Sequence, residues 1–254
     1  MRSPFDHPLV AERYFPSRRD PLHETHWMKV NGVRLACYRH APLADARTLV
    51  HFHGNGEVVA DYLGPVVEQV IGLGLNVFLA EYRGYGQSSG RPALDAMLDD
   101  AETLVRTVGV PPERLVLFGR SAGSIYAIHA ASRVPGVAGL ILESGVADPL
   151  ERVLLRVGPA EIGSSEHDLA VAARHRLDHR AKLQRYPGPV LVMHAADDSL
   201  VPVDNAARLA DWAAGPSRLT VFDTGDHDGV MAMNWVAYWQ EVAAFVARCD
   251  GRRG

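Results

Sequence analysis

The apolar run Leu115-Val116-Leu117-Phe118 passes directly into Gly119-Arg120-Ser121-Ala122-Gly123. The run reads as a buried strand, and the G-x-S-x-G after it sets a serine at a sharp strand-to-helix turn. Only small neighbours, here Ala122 and the two glycines, let strand and helix pass that closely. Such a turn holds the hydroxyl clear of the sheet, with a helix N-terminus beneath it where an oxyanion is stabilised. The pentapeptide alone recurs by chance. Its meaning depends on whether the strand, the helix, a later acid and a still later histidine accompany it.

Working outward, short apolar runs alternate with helical patterns, the mark of a mainly parallel sheet. The predicted strands are 25–30, 33–39, 48–53, 76–81, 114–118, 138–143, 189–194 and 218–222. Asn31-Gly32 between the first two is a hairpin signal, so the fold opens with an antiparallel pair. From His51 onward the connections read as βαβ crossovers. A helix is expected over 58–73, with Leu63, Val66, Val67, Val70 and Ile71 on one face. A terminal helix carries Met231, Trp235, Tyr238, Val242, Phe245 and Cys249 at spacings of four and three, a core-packing stripe. Residues 148–187 contain no strand, and a structured insertion of that length at a strand's carboxyl end predicts a small helical cap over a site. Residues 1–254 are read as a single α/β domain holding that insertion.

A chain of 254 residues that is 47% apolar is long enough for one sizeable core. Net charge is −4, and no run of Lys and Arg is longer than a pair (Arg18-Arg19 and the Arg252-Arg253 tail), which argues against nucleic acid as a partner. The N-terminal residues carry no apolar signal core, and no stretch approaches the ~18 apolar residues of a membrane helix, so a cytoplasmic protein is expected. Cys37 and Cys249 each fall on an apolar face and are expected to be reduced, buried thiols.

A serine hydroxyl is a weak nucleophile and needs a base within hydrogen-bond reach, best a histidine oriented by a carboxylate. Downstream of Ser121, acids stand at a strand end in His194-Ala195-Ala196-Asp197-Asp198, and His227 follows the last strand in Gly225-Asp226-His227-Asp228-Gly229, read as a loop. All three positions lie beyond carboxyl ends of predicted strands, where ligand sites of open α/β sheets collect. A developing oxyanion needs two donors. One is the Ala122 N–H. The other comes from the loop after the third strand, His53-Gly54-Asn55-Gly56, and is assigned to the Asn55 N–H. His51-x-His53 resembles the start of a metal set but lacks further ligands nearby, Gly54-x-Gly56 lacks the third glycine of a dinucleotide loop, and no Gly-Lys-Ser/Thr follows. No metal and no cofactor are expected.

Taken together, His53-Gly54-Asn55-Gly56, Glu81-Tyr82-Arg83-Gly84-Tyr85-Gly86-Gln87-Ser88-Ser89-Gly90-Arg91-Pro92, the serine pentapeptide and the late histidine resemble the α/β-hydrolase superfamily over about residues 48–248. Within it the likeness is to small-capped serine hydrolases of the Bem46-like and acyl-protein-thioesterase kind. The resemblance implies an eight-stranded, mostly parallel sheet with the second strand antiparallel and helices on both faces. It also implies cofactor-free hydrolysis of a small-molecule ester or thioester, with Ser121 as nucleophile, His227 as base, and Asn55 and Ala122 as oxyanion donors. Counting from His194 and back from Pro202 gives Asp198 as the acid, with Asp197 and Glu143 as the other candidates. Two departures stand out: His194-Ala195 where the family has His-Gly, and Asp226 and Asp228 around His227 where Gly and Asn are common. A peptidase or amidase of the same fold, and a non-catalytic binder that keeps the fold, are the competing readings. Arg120 either pairs with a nearby carboxylate or meets an acidic substrate, Arg83 braces its loop, and Tyr62 is a candidate pocket residue. His129, His167, His175 and His179 read as structural or solvated. The insertion carries seven Lys/Arg against six Asp/Glu, which points to neither a lipid-opening lid nor a polyanion site.

Overall fold

The computed structural model describes residues 3–250, so the Arg252-Arg253 pair lies outside the described residues. The strands are β1 (His26–Val30), β2 (Val33–His40), β3 (Thr48–Phe52), β4 (Asn76–Ala80), β5 (Leu115–Arg120), β6 (Gly139–Glu143), β7 (Val190–Ala195) and β8 (Ser217–Phe222). They form one sheet in the order β1-β2-β4-β3-β5-β6-β7-β8. Pairs β1–β2 and β2–β4 are antiparallel and the rest parallel, as expected. The hairpin turn has Asn31 at φ 41° and Gly32 at φ 80°, the left-handed pair of a two-residue I′ turn.

The helices are α1 (Pro8–Tyr14), α2 (Pro65–Gly72), α3 (Leu94–Thr107), α4 (Gly123–Arg133), α5 (Pro149–Leu154), α6 (Glu166–Arg176), α7 (His179–Arg185), α8 (Asp204–Trp212), α9 (Asp226–Met233) and α10 (Trp235–Asp250). The strand period of two sorts the core into halves. Val50, Phe52, Leu117, Leu142 and Val192 join side chains of α3, α4 and α8. Leu49, Phe118, Ile141 and Leu191 join those of α2 and α10. Cys37 belongs to the first half and Cys249 to the second, so the sheet lies between the two buried thiols. Burial pushes the Cys37 thiol up to about 12.

Three expectations need correction. The helix expected over 58–73 is a 3₁₀ turn, Val59–Tyr62, followed by α2. Gly64 (φ 79°) precedes Pro65, and a residue before proline is driven out of the helical region, so the first segment cannot run into the second. The terminal helix is likewise interrupted at Asn234. Its side-chain amide donates to the carbonyls of Thr224 (2.8 Å) and Val230 (2.9 Å), closing α9, and its own carbonyl accepts from Tyr238 N–H (2.8 Å) to start α10. Met231 therefore sits on α9. His227 stands in the first turn of that short helix and not in a loop.

Residues 148–187 fold into α5, a 3₁₀ turn at Pro159–Ile162, α6 and α7. Leu169, Ala173 and Leu183 bury into the same half-core as α3 and α4. Arg176 of α6 pairs with Asp95 and, at 2.5 Å, with Asp99 of α3, so the second half of the segment continues the helical layer. The first half meets α1. Arg13 forks onto Glu161 (2.7 and 2.9 Å), and Arg156 donates to the Arg13 carbonyl (3.0 Å) while its guanidinium lies 5.6 Å from the Tyr14 ring. Among the described residues no helix is long and apolar enough to cross a membrane.

Candidate active site

Ser121 has φ 50°, the left-handed conformation of a residue on a tight strand-to-helix turn. The turn is held by Ser121 N–H to the Glu143 carbonyl (2.8 Å) and by the Ser124 N–H (3.0 Å) and hydroxyl (2.6 Å) to the Ser121 carbonyl. Its glycines are steric necessities. A Cβ on Gly119 would lie 2.6 Å from Ser124 Cα, and one on Gly123 would lie 2.7 Å from the His53 carbonyl oxygen.

The structure brings Ser121, His227 and Asp198 together. Ser121 Oγ lies 2.8 Å from His227 Nε2, and His227 Nδ1 lies 2.8 Å from Asp198 Oδ2. All three residues are buried. A carboxylate only accepts, so Nδ1 carries the ring proton toward Asp198 and Nε2 offers its lone pair to the serine hydroxyl. Asp198 Oδ1 accepts from the N–H groups of Leu200 (3.0 Å) and Val201 (2.7 Å), and His194 Nε2 stands 3.2 Å from Oδ2. Burial raises the Asp198 carboxyl, but hydrogen bonds from His194, His227 and the Val201 N–H outweigh it and hold the group below the usual carboxylate range.

The other two candidate acids are engaged elsewhere. Asp197 accepts from the Asp226 N–H (3.0 Å), and Asp226 accepts from the Ser199 N–H (2.8 Å), a reciprocal pair that zips the acid loop to the start of α9. Glu143 faces Arg120 (3.3 Å) and takes the Tyr238 hydroxyl. Arg120 meets carboxylates, those of Glu57, Glu143 and Asp228. Burial works against its charge, and Glu143, Tyr62 and Glu57 together hold it above its usual range.

Asn55 sits at the carboxyl end of β3, beside the elbow. Its side-chain amide donates to the Tyr14 carbonyl, and its amide oxygen accepts from the Tyr85 hydroxyl (3.3 Å). Among the described residues, neither the Asn55 nor the Ala122 backbone N–H donates to a protein acceptor. Both donors are thus available.

Beneath this loop His53 is buried, its Nδ1 donating to the Gly54 carbonyl (2.8 Å) and its Nε2 facing Glu81 Oε1 (2.8 Å). Burial disfavours the His53 charge, but Glu81 leaves it raised overall. His51 diverges from it, its ring 4.2 Å from Tyr62 and 4.9 Å from Phe118. Arg83 forks onto Asp100 of α3 (2.5 and 2.6 Å) and so ties down the loop after β4. Tyr62 donates to Glu57 (2.6 Å) and lines a small apolar cavity with His51 and Phe118.

Sequence reasoning missed two contributors. Glu57 is the fourth residue of a Gly-rich loop, and nothing in its surroundings marks a structural carboxylate. The segment before β1 offers no periodic pattern, yet its main-chain carbonyls hold the site's loops. Tyr14 takes Asn55, and Arg18 takes the Gly86 N–H (2.8 Å).

Comparison with known proteins adds an independent line. A family model described as serine aminopeptidase, S33, matches residues 44–160. The chain is 28% identical over 212 residues to the uncharacterized protein YfhR of Escherichia coli O157:H7, covering 78% of this chain and 69% of that protein. It is 30% identical over 209 residues to alpha/beta hydrolase domain-containing protein 17B of Xenopus tropicalis, covering 78% of this chain and 67% of that protein. Among solved structures, Est1E from Butyrivibrio proteoclasticus with bound ferulic acid superposes with a TM-score of 0.72 at 17% identity, covering 87% of this chain and 99% of that one. At that identity the likeness is one of fold.

Proposed function

The chain belongs to the α/β-hydrolase family, and on that premise we propose that it is a serine hydrolase cleaving carboxylic ester or thioester bonds through an acyl-enzyme. The observation that carries this reading is the line of two 2.8 Å contacts from Ser121 through His227 to Asp198. Ser121 Oγ attacks the substrate carbonyl while its proton passes to His227 Nε2. Asp198 holds the ring tautomer and stabilises the imidazolium. The carbonyl's π electrons become an oxyanion cradled by the Asn55 and Ala122 N–H groups, a contribution of ~3 kcal/mol per donor in comparable sites. Collapse expels the alcohol or thiol, protonated by His227, and a water molecule then repeats the sequence to release the acid.

Residues 156–161 meet α1 through Arg13 and Arg156, and α1 ends at the Asn55 loop. Tyr14 touches both the Asn55 loop and Arg156 there, which supports a small cap made from the first half of 148–187 together with α1.

The match to a serine aminopeptidase family favours one second reading, cleavage of a peptide's first amide. Such an enzyme needs a carboxylate for the substrate ammonium. Here Glu57, Glu81 and Glu143 are each committed to internal partners, which favours the ester. Ser121→Ala is expected to abolish hydrolysis of p-nitrophenyl acetate and butyrate with folding intact. Turnover undiminished in that variant would refute the proposal. Faster cleavage of aminoacyl p-nitroanilides than of the esters would favour the peptidase, and no labelling by a fluorophosphonate would favour a non-catalytic binder.

A further inference from the structure

Arg120 stands one residue before Ser121, and its guanidinium reaches segments far apart in sequence. One arm meets Glu57, and Nε faces Glu143 at 3.3 Å. Nη2 donates at 3.0 Å both to the main-chain carbonyl of His227 and to Asp228. Glu57 in turn uses Oε2 to accept the Gly54 N–H at 2.5 Å and the Tyr62 hydroxyl at 2.6 Å. A continuous chain of charge-assisted bonds therefore runs from the residue before Asn55, past the residue before Ser121, to the backbone of His227. Those are the three segments that must keep register for acyl transfer: β3 and β5 pair directly only as far as Phe52 and Gly119, and the start of α9 shares no sheet bond with either.

We propose that Arg120 and Glu57 are positioning residues that hold the Asn55 N–H, the Ser121 hydroxyl and the His227 ring in register for the transition state. This rests on the acyl-transfer reading above. A guanidinium suits the task because its planar fork serves several acceptors in fixed directions, which an ammonium cannot do. Arg120 is 7% exposed, Glu143 is buried and Glu57 is largely covered, so these two bonds are less screened than surface pairs, unlike the bond to the exposed Asp228. Neither residue touches the reacting atoms. Their effect should appear in the transition state and not in ground-state binding.

The test uses Arg120→Lys and Glu57→Gln in the full chain, with Ser121→Ala in parallel. Three quantities are measured: kcat and KM for p-nitrophenyl butyrate, the Ki of a trifluoromethyl ketone, and the Ki of butyrate as a ground-state ligand. The ketone probe adds Ser121 Oγ to its carbonyl carbon, sends the serine proton to His227 and leaves an oxyanion in the Asn55–Ala122 cradle. In both variants kcat is expected to fall roughly 10- to 100-fold, as for a displacement of up to ~1 Å. Ketone affinity should weaken by a matching factor, with KM and the butyrate Ki within about twofold of wild type. Retained kcat and ketone affinity in folded variants, or a lower Tm with neither changed, would overturn the inference, as would a fall in kcat without the matching loss of ketone affinity. Should Arg120→Lys fail to fold, Glu57→Gln decides alone, its side chain being 22% exposed. Turnover surviving in Ser121→Ala sinks the acyl-transfer reading itself. An inactive Ser121→Ala beside wild-type behaviour in the other two sinks only the positioning role.

Discussion

Gly123→Ala isolates the geometry of the elbow. Gly123 opens α4, so a methyl group there gains the usual alanine preference for helix, up to ~1 kcal/mol. The structure overrides that gain. The new Cβ would lie 2.7 Å from the His53 carbonyl oxygen and nearer still to that of Phe52, against a comfortable C···O separation of about 3.3 Å. Relief requires the end of β3 and the start of α4 to part by ~0.6 Å for the His53 oxygen and by about 1 Å or more for the nearer Phe52 oxygen. Forced separations in packed interiors cost about 1–3 kcal/mol, which for a chain of this size lowers Tm by several degrees. The same movement carries Asn55 away from Ser121, and with misplacement near 1 Å worth ~100-fold, kcat/KM for p-nitrophenyl butyrate should drop roughly 10- to 100-fold. Gly72→Ala is the matched control. Gly72 closes α2, has an ordinary φ, and an added Cβ meets nothing within 4 Å, so it should be neutral or slightly stabilising with full activity. Thermal melts and ester kinetics on both variants decide the matter. Wild-type Tm and kcat/KM in Gly123→Ala would refute the steric argument.

Asp198→Asn should lower kcat by ~10⁴ through loss of the productive histidine tautomer. Asp197→Asn should change it little, because its amide oxygen still accepts the Asp226 N–H, and ester kinetics separate the two. Lys182 is 6% exposed, donates to the Arg176 carbonyl at 2.5 Å, and is lowered to about 7 by burial and by Arg176. Its folded value lies below the unfolded ~10.4, so the penalty of folding it is complete below about pH 7 and fades as pH rises toward 10.4. Lys182→Met should therefore stabilise by on the order of 2–4 kcal/mol at pH 6, after loss of one hydrogen bond, and much less at pH 10. Melts at the two pH values that show equal increments would count against that sign.

The strands and the order Ser, acid, His were legible because each rests on a local pattern: a buried apolar run, Asn-Gly at a hairpin, or Gly-x-Ser-x-Gly at a strand end. The helix interruptions were legible in kind, since Gly64-Pro65 and Asn234 are breakers, but apolar periodicity persists across both and hides them. A carboxylate partner for Arg120 was legible as one of two readings, but which carboxylates, and Glu57 among them, was not. An isolated carboxylate and an isolated guanidinium acquire meaning only when β3, β5 and α9 converge. The placement of α6 and α7 was hidden similarly, because α6 buries only Leu169 and Ala173, too few to show as a stripe, and its Arg176 finds Asp95 and Asp99 only across the layer.

The region matched by the family model begins at residue 44, so the strap that carries Tyr14 and Arg18 precedes it. That strap grips the Asn55 and Gly86 loops through carbonyl oxygens, which every amino acid possesses. The two grips themselves therefore make no demand on side-chain identity, and what constrains Tyr14 and Arg18 is the packing of the one ring and the ion pair of the other. The arm's hold on the two loops is thus carried by its backbone path, and its side chains serve a separate task of fixing that path.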